Sequence, residues 1–425
     1  MTYQRRIIDD TLDELFPYVG AIALDGAKGV GKTATASERV ATVLDMSSAR
    51  RREVVEADDD YIMHVPHPVL IDEWQRLPQV WDRVKTAVDA DSTGGQFLLA
   101  GSASVGPGVQ IHSGAGRIVS LRMRPLSIAE RGLAEPTVSL RDLMAPTPTA
   151  ISGESSVTLR DYTYQILASG FPGLRHLPPP VRDVQLDSYV TRIVSRELKE
   201  SGIVVRKPAA MLAWLAAYAA ATGGTAMYSN ILDAATAGED LKVSRATADI
   251  YREHLTGLFV LDPLPAWIPA FNPLKRLGTA PKHHLVDPAI AARLVGVGMD
   301  GLLAGDGERV SSATGTWLGA LFESLATLSV RVYAEVMHAQ VGHLRTTDGN
   351  SPREIDLIVE GSDRRVVAIE VKLAATVSDK DVRHLNWLEG QIGDRLADKV
   401  LITTGDTAYR RRDGVAVVPL ALLGP

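Results

Sequence analysis

The chain has 425 residues, a formal charge of −6 at pH 7 and no cysteine. That length predicts two to four domains, and the missing thiols exclude a disulfide framework or a thiolate metal site and suit a reducing cytoplasm. No run approaches the roughly 18 apolar residues of a membrane span, and Met1 to Arg6 lead into acidic residues instead of a signal-peptide core, so a soluble cytoplasmic protein is expected.

In residues 1–135, short apolar runs alternate with helical stretches, the pattern of a parallel sheet covered on both faces. The expected strands are 21–24, 54–57, 69–72, 97–101 and 117–121. Between the first strand and a helix expected over Thr33 to Val43 lies Gly26-Ala27-Lys28-Gly29-Val30-Gly31-Lys32-Thr33. Such a loop turns backbone N–H groups around the β- and γ-phosphates, sends its lysine across them and offers its hydroxyl to Mg²⁺. Val69-Leu70-Ile71 then ends in Asp72 and Glu73. Asp72 is the candidate to hold the same Mg²⁺ through water, and Glu73 the candidate base for the attacking water. The cofactors read here are therefore ATP and Mg²⁺.

Ser102, at the tip of the strand ending Leu99-Ala100-Gly101, is the candidate γ-phosphate sensor. In ring-forming ATPases an arginine in the next region reaches the neighbouring subunit's γ-phosphate, an effect of about 10³–10⁵-fold in rate. Arg117 is favoured for that part over Arg122 and Arg124.

Residues 136–158 are rich in Pro, Ser, Thr and Gly and read as a linker. The 159–270 region reads as helical over Tyr162 to Ala168, Asp187 to Lys199 and Ala209 to Ala221. Tyr228 to Ala235, a turn through Lys242-Val243, and Arg245 to Thr256 behind a Ser244 cap then suggest a helix-turn-helix, with Gly257 to Pro265 as its wing. Used on DNA, it would send Ser244, Arg245 and Thr247 into the major groove. Asp249, Glu253 and Asp262 leave open a module that contacts protein or is purely structural.

In residues 280–425, a helix over Thr316 to Val330 carries Glu323, Arg353 to Val359 is a strand carrying Asp356, and Val366 to Lys372 is a strand ending in Glu370-Val371-Lys372. Residues two apart in a strand share a face, so Glu370 and Lys372 project together, and Asp356 on a neighbouring strand can join Glu370 at one hard metal ion. This order resembles the restriction-endonuclease-like nucleases, which implies a second Mg²⁺ site at Asp356 and Glu370, with Glu323 and Lys372 beside it. Such a domain cuts phosphodiesters or persists as a DNA-binding or inert module.

Arg5-Arg6-Ile7-Ile8-Asp9, the phosphate loop, Leu70 to Gln75, Gly116-Arg117 with Pro125-Leu126-Ser127, Ser169-Gly170-Phe171-Pro172, Glu354-Ile355-Asp356 and Glu370-Val371-Lys372 together resemble a large prokaryotic family of AAA-type (AAA+) P-loop ATPases with a C-terminal domain of unknown function. The fold implied is α/β multidomain: an AAA+ ATPase domain, a helical and winged-helix middle domain, and a restriction-endonuclease-like α/β domain. By analogy with related machines, the expectation is a homo-oligomeric ring that hydrolyses ATP to bind, translocate or remodel DNA, possibly branched. An ATP-regulated Mg²⁺-dependent nuclease and a regulatory ATPase acting through protein partners are the alternatives.

Overall fold

The computed structural model describes residues 3–102, 113–147, 149–198, 205, 207–235, 244–269, 278–304, 312–348 and 351–425. The expected turn at Lys242-Val243 lies outside them.

The N-terminal domain begins with α1 (Ile8–Leu15), β1 (Ala21–Asp25), α2 (Lys32–Ser37) and β2 (Thr42–Asp45). It continues through α3 (Ala49–Ala57), α4 (Tyr61–His64), β3 (Val69–Asp72), α5 (Gln79–Ala90), β4 (Phe97–Gly101) and β5 (Ile118–Arg122). The strands lie in the order β5-β1-β4-β3-β2, every neighbouring pair parallel. Alternation along β1 splits the core: Ile22 and Leu24 face one layer, and Ala21 and Ala23 the other, where α5 packs with Val80, Trp81, Val84 and Val88. That spacing is an amphipathic helical face, and burying each large side chain contributes about 1.5–3 kcal/mol.

The second strand differs from the expectation. Val54 to Ala57 belong to α3, where Ser48 accepts a hydrogen bond from the Arg51 N–H and starts the helix. The strand is Thr42–Asp45, taken from the end of the expected helix, because Thr42, Val43 and Leu44 pair with Val69, Leu70 and Ile71. Short β-branched runs carry too little periodicity to separate strand from helix.

Residues 136–158, expected to form a linker, are tied into the fold. They hold β6 (Val138–Ser139), α6 (Leu140–Leu143) and β7 (Gly153–Glu154). The middle region follows with α7 (Leu159–Ala168), α8 (Pro179–Arg192) continued by a wider π turn at Ile193–Glu197, α9 (Pro208–Ala220), α10 (Tyr228–Ala235) and α11 (Arg245–Gly257). A capping box between Thr158 and Asp161 opens α7, and the Ser244 hydroxyl caps α11. The stretch after α11 is buried rather than projecting: Val260, Leu261 and Leu264 are in the core, and Leu261 and Leu264 bridge antiparallel to Leu285 and Lys282.

Next come α12 (Pro288–Val295), α13 (Met299–Leu302), α14 (Ser312–Glu335), β8 (Gln340–Asp348), β9 (Ser351–Glu360), β10 (Val366–Val371), α15 (Asp379–Ile392), β11 (Leu396–Thr403), β12 (Thr407–Arg410), β13 (Ala416–Pro419) and β14 (Leu423–Gly424). The sheet order is β7-β12-β13-β11-β10-β9-β8. In it β8, β9 and β10 run antiparallel, and β11 lies parallel to β10. β7 pairs with β12 and β6 with β14, so the 136–158 stretch laces the C-terminal sheet to the N-terminal domain. The Ile128 and Ala129 N–H groups donate to Ser329 and Tyr333 of α14, a second seam between the two ends of the chain.

Candidate active site at the phosphate loop

The phosphate loop leaves the C-terminal end of β1, with β4 on one side and β5 on the other. Gly29 and Gly31 hold φ of 86° and 106°, in the left-handed region, which glycine enters without a Cβ penalty. At Gly26 a Cβ would stand 2.2 Å from the Met123 carbonyl oxygen, so only glycine lets the loop pass the end of β5. Arg6, which sequence reasoning gave no role, supports the loop from beneath. Its guanidinium donates to the Val30 carbonyl at 2.9 Å, to the Arg124 carbonyl at 2.9 Å and to Glu130 at 2.8 Å. Glu130 also accepts from the N–H groups of Ile7 and Ser127. On the outer side, the Gly170 N–H and Ser169 hydroxyl donate to Asp287, and the adjacent Phe171 and Pro172 approach Gly29 and Gly31.

Lys32 is buried and its Nζ donates to the carbonyls of Gly26 at 2.6 Å and Ala27 at 3.0 Å. Burial pushes its pKa down to about 8, against the opposing charges of Glu73, Asp72 and Asp25. Thr33 Oγ1 donates to Asp72, 3.0 Å from both carboxylate oxygens. Burial raises the Asp72 pKa, with the Thr33 hydrogen bond working the other way. The Thr33–Asp72 pair and the left-handed glycine cradle fit a Mg²⁺-bound triphosphate: one hydroxyl and one carboxylate meet where the metal would sit.

Glu73 follows β3 directly and adopts φ 52° and ψ 39°. A left-handed backbone at a residue bearing a Cβ costs on the order of 1–3 kcal/mol, and such residues cluster at active sites. The turn swings Glu73 away from the strand, where Gln75 Nε2 donates to its Oε2 at 2.8 Å. The same Gln75 nitrogen reaches Ser102 Oγ at 3.5 Å, so Ser102, buried at the tip of β4, joins Glu73 through one side chain. Gln75 was not singled out from sequence; its spacing of two from Glu73 was the available signal. Beside Lys28 and Gly29 opens a cavity of about 340 Å³ walled by Phe171, Leu174, Tyr189 and Ile193, within the size range of small-ligand pockets. Lys28 itself pairs with Glu197 of the π turn at 2.9 Å.

The three candidate arginines part ways. Arg117 lies at the N-terminal end of β5, away from the loop, paired with Asp89 at 2.6 Å. Arg122, in register with Asp25, stacks over Phe259 at 3.8 Å. Arg124 donates to Asp262 at 2.9 Å, and Arg331 reaches the same carboxylate at 3.1 Å. Burial would raise the Asp262 pKa, but Arg124, Arg331 and Arg122 outweigh it and hold this carboxyl well below the usual range.

Elsewhere, Ser244 and Arg245 are exposed at the start of α11, and Thr247 is half-buried with its N–H bonded to Ser244 Oγ at 3.1 Å. Around them, Asp249 pairs with Arg252, whose guanidinium covers Tyr228. In the C-terminal domain Glu323, Asp356, Glu370 and Lys372 do converge, Glu323 from α14 and the others from or just past the adjacent strands β9 and β10. Glu370 is buried beside Lys372 at 3.3 Å and His384 at 3.7 Å. Burial and the Asp356 charge raise its pKa. Sequence reasoning missed a fifth member, Lys282, which donates to Asp356 at 2.7 Å and to Glu323 at 2.8 Å. A lone lysine entering the apolar run Leu285-Val286 was its faint signal.

The loop geometry and the parallel sheet are those of a P-loop domain, and residues 19–131 match the family model described as AAA domain. Residues 159–301 and 318–423 match two domains of unknown function, DUF8612 and DUF4143. Two relatives, uncharacterized proteins of Mycobacterium bovis and Mycobacterium tuberculosis, are each 28% identical over 358 residues, spanning 83% of this chain and 68% of the relative. Among solved structures, the Walker-type ATPase of Pyrococcus abyssi aligns with a TM-score of 0.40 and 16% identity, over 69% of this chain and 96% of that one. Among the described residues, no helix is long and apolar enough to cross a membrane.

Proposed function

We propose that this protein hydrolyses ATP and spends the cycle acting on DNA as a homo-oligomeric ring. The observation that carries the hydrolytic part is the meeting of Lys32, the Thr33–Asp72 pair and Glu73 at the C-terminal ends of β1 and β3. Mg²⁺, held by Thr33 and Asp72, would neutralise charge on the β- and γ-phosphates. Lys32 supplies a buried cation to the same oxygens, and Glu73 accepts a proton from the attacking water once Gln75 releases it. Ser102 moves with Gln75 and so reports the γ-phosphate to Glu73. Arg117, on the exposed edge of β5, is our candidate for the arginine offered to a neighbouring subunit; its contact with Asp89 is exposed and weak enough to exchange.

The DNA reading is supported by the exposed start of α11, where Ser244, Arg245 and Thr247 surround a helix N-terminus that favours phosphate. Transmission is supported by the Asp262 cluster, which joins β5 of the ATPase domain to the segment after α11 and to α14. The test is ATP turnover by the purified protein alone, with linear duplex and with branched DNA, using Glu73→Gln as the control. Stimulation by one DNA form establishes a DNA-dependent motor. Equal rates in all three conditions overturn the DNA part and leave a regulatory ATPase that works through protein, the reading that the acidic flank of α11 would then favour.

A further inference from the structure

The C-terminal acid cluster has the residue types of a metal-dependent nuclease, and its geometry is filled by something else. Lys282 is 1% exposed. Its backbone is locked in the ribbon opposite Leu264, with both N–H to carbonyl bonds at 2.9 Å, so the side chain enters the cluster from the middle region. There its Nζ meets Asp356 at 2.7 Å, Glu323 at 2.8 Å and Glu354 at 3.1 Å. An ammonium carries three protons; two are donated to Glu323 and Asp356, and Glu354 adds a third ion-pair contact. The remaining oxygen of Asp356 accepts the Val371 N–H at 2.9 Å. Mg²⁺ asks for near-octahedral oxygens at about 2.0–2.1 Å and several waters. Both Asp356 oxygens already accept hydrogen bonds from groups of this chain, and a second cation beside the ammonium would meet like-charge repulsion. Among the described residues no group of three or more His, Asp or Glu side chains is arranged to hold a metal ion.

We infer that the Lys282 ammonium is the resident cation of this site: it takes the place of the divalent ion that the fold's Asp and Glu-x-Lys pattern calls for, and it turns a nuclease-like constellation into an ion-paired core. The acids that would have gathered Mg²⁺ instead clamp the strand carrying Lys282 against α14 and β9. The neighbouring carboxylate Glu370 is answered by Lys372 and His384, again with groups of this chain. This domain therefore contributes joining and binding surface, with no metal-dependent cleavage. The inference stands whether or not ATP turnover responds to DNA.

Mn²⁺ uptake by the full chain, free of nucleotide and followed by its electron paramagnetic resonance signal, tests it. The wild type should show no ion that disappears on Asp356→Asn. Lys282→Ala frees three carboxylates and leaves space for water, and should gain one Mn²⁺ per chain, bound at least tenfold more tightly than anything in the wild type and lost again when Asp356→Asn is added. Lys282→Met, which keeps the stem without the charge, should lower the thermal midpoint and gain little Mn²⁺. A wild-type Mn²⁺ ion that Asp356→Asn removes overturns the inference, and that titration decides even if the alanine variant does not fold. A folded Lys282→Ala protein that binds no more Mn²⁺ than the wild type overturns it equally.

Discussion

Asp262→Asn replaces one carboxylate oxygen with an amide nitrogen at the point where three parts of the chain meet. The wild-type carboxylate lies 2.9 Å from Arg124, 3.1 Å from Arg331 and 3.7 Å from Arg122, with Glu335 a further 3.4 Å contact of Arg124. Three guanidiniums then face two carboxylates, a local charge of +1; the substitution makes it +2. Asparagine keeps the shape and one acceptor, so the loss is electrostatic. Breaking a buried ion pair from one side costs about 3–5 kcal/mol, because the partner charges stay buried. The side chain of Arg122 is 20% exposed and keeps some water, which puts the expectation near 3 kcal/mol. With a urea slope of about 2–3 kcal/mol/M, that is a midpoint shift of about 1 M for the transition that includes this interface. Tryptophan fluorescence and far-UV circular dichroism should be recorded together, since a chain of this size unfolds in more than one step. Arg122 is also in register with Asp25, the residue just before the phosphate loop, so ATP affinity should fall in the same variant. Asp59→Asn, at a side chain that is 83% exposed, is the control. If the two variants shift the midpoint equally, the cluster is not a buried electrostatic joint and the reasoning fails.

Three other outcomes follow from the loop. Glu73→Gln should lower ATP turnover by about 10²–10⁴-fold, the usual span for loss of a general base, while ATP affinity measured by calorimetry stays within about threefold; an equal fall in both would make Glu73 a binding residue. Gly26→Ala should cost about 1–3 kcal/mol of overpacking and abolish binding of a fluorescent ATP analogue, because the new Cβ meets the Met123 carbonyl; wild-type affinity would mean the loop relaxes freely. Burial brings the Lys32 pKa down to about 8, and phosphate oxygens should restore its proton, so ATP binding at pH 8 should take up roughly half a proton, read from calorimetry in buffers of different ionisation enthalpy. The sign for the nucleotide-free fold is opposite to that of a lysine gaining a partner. Between about pH 8 and the ordinary lysine range the unfolded chain holds this proton and the folded chain has shed it, so stability rises with pH through that window.

What could be read along the chain was chemistry held in contiguous residues. Gly26 to Thr33 and Asp72-Glu73 carry their meaning in spacing alone, since a loop and a strand tip need few outside partners to take shape. The short apolar runs Ile355 to Val359 and Val366 to Val371 likewise marked two strands, β9 and β10, that pair in the structure. The second strand of the ATPase sheet was misplaced because Val54-Val55 and Val43-Leu44 look alike locally, and only pairing with β3 chooses between them.

The sequence by itself nominated the groups proposed to handle phosphate, because within each motif those groups sit side by side. Tertiary structure decided everything that depends on which distant charge arrives: Arg6 under the loop through Glu130, Gln75 between Glu73 and Ser102, and Asp262 among three arginines. It also decided the character of the C-terminal site, where Lys282 crosses to acids on α14 and β9. The physical reason is that a buried charge has to find its counter-ion wherever the fold brings one, and that separation in sequence sets no limit on the partner.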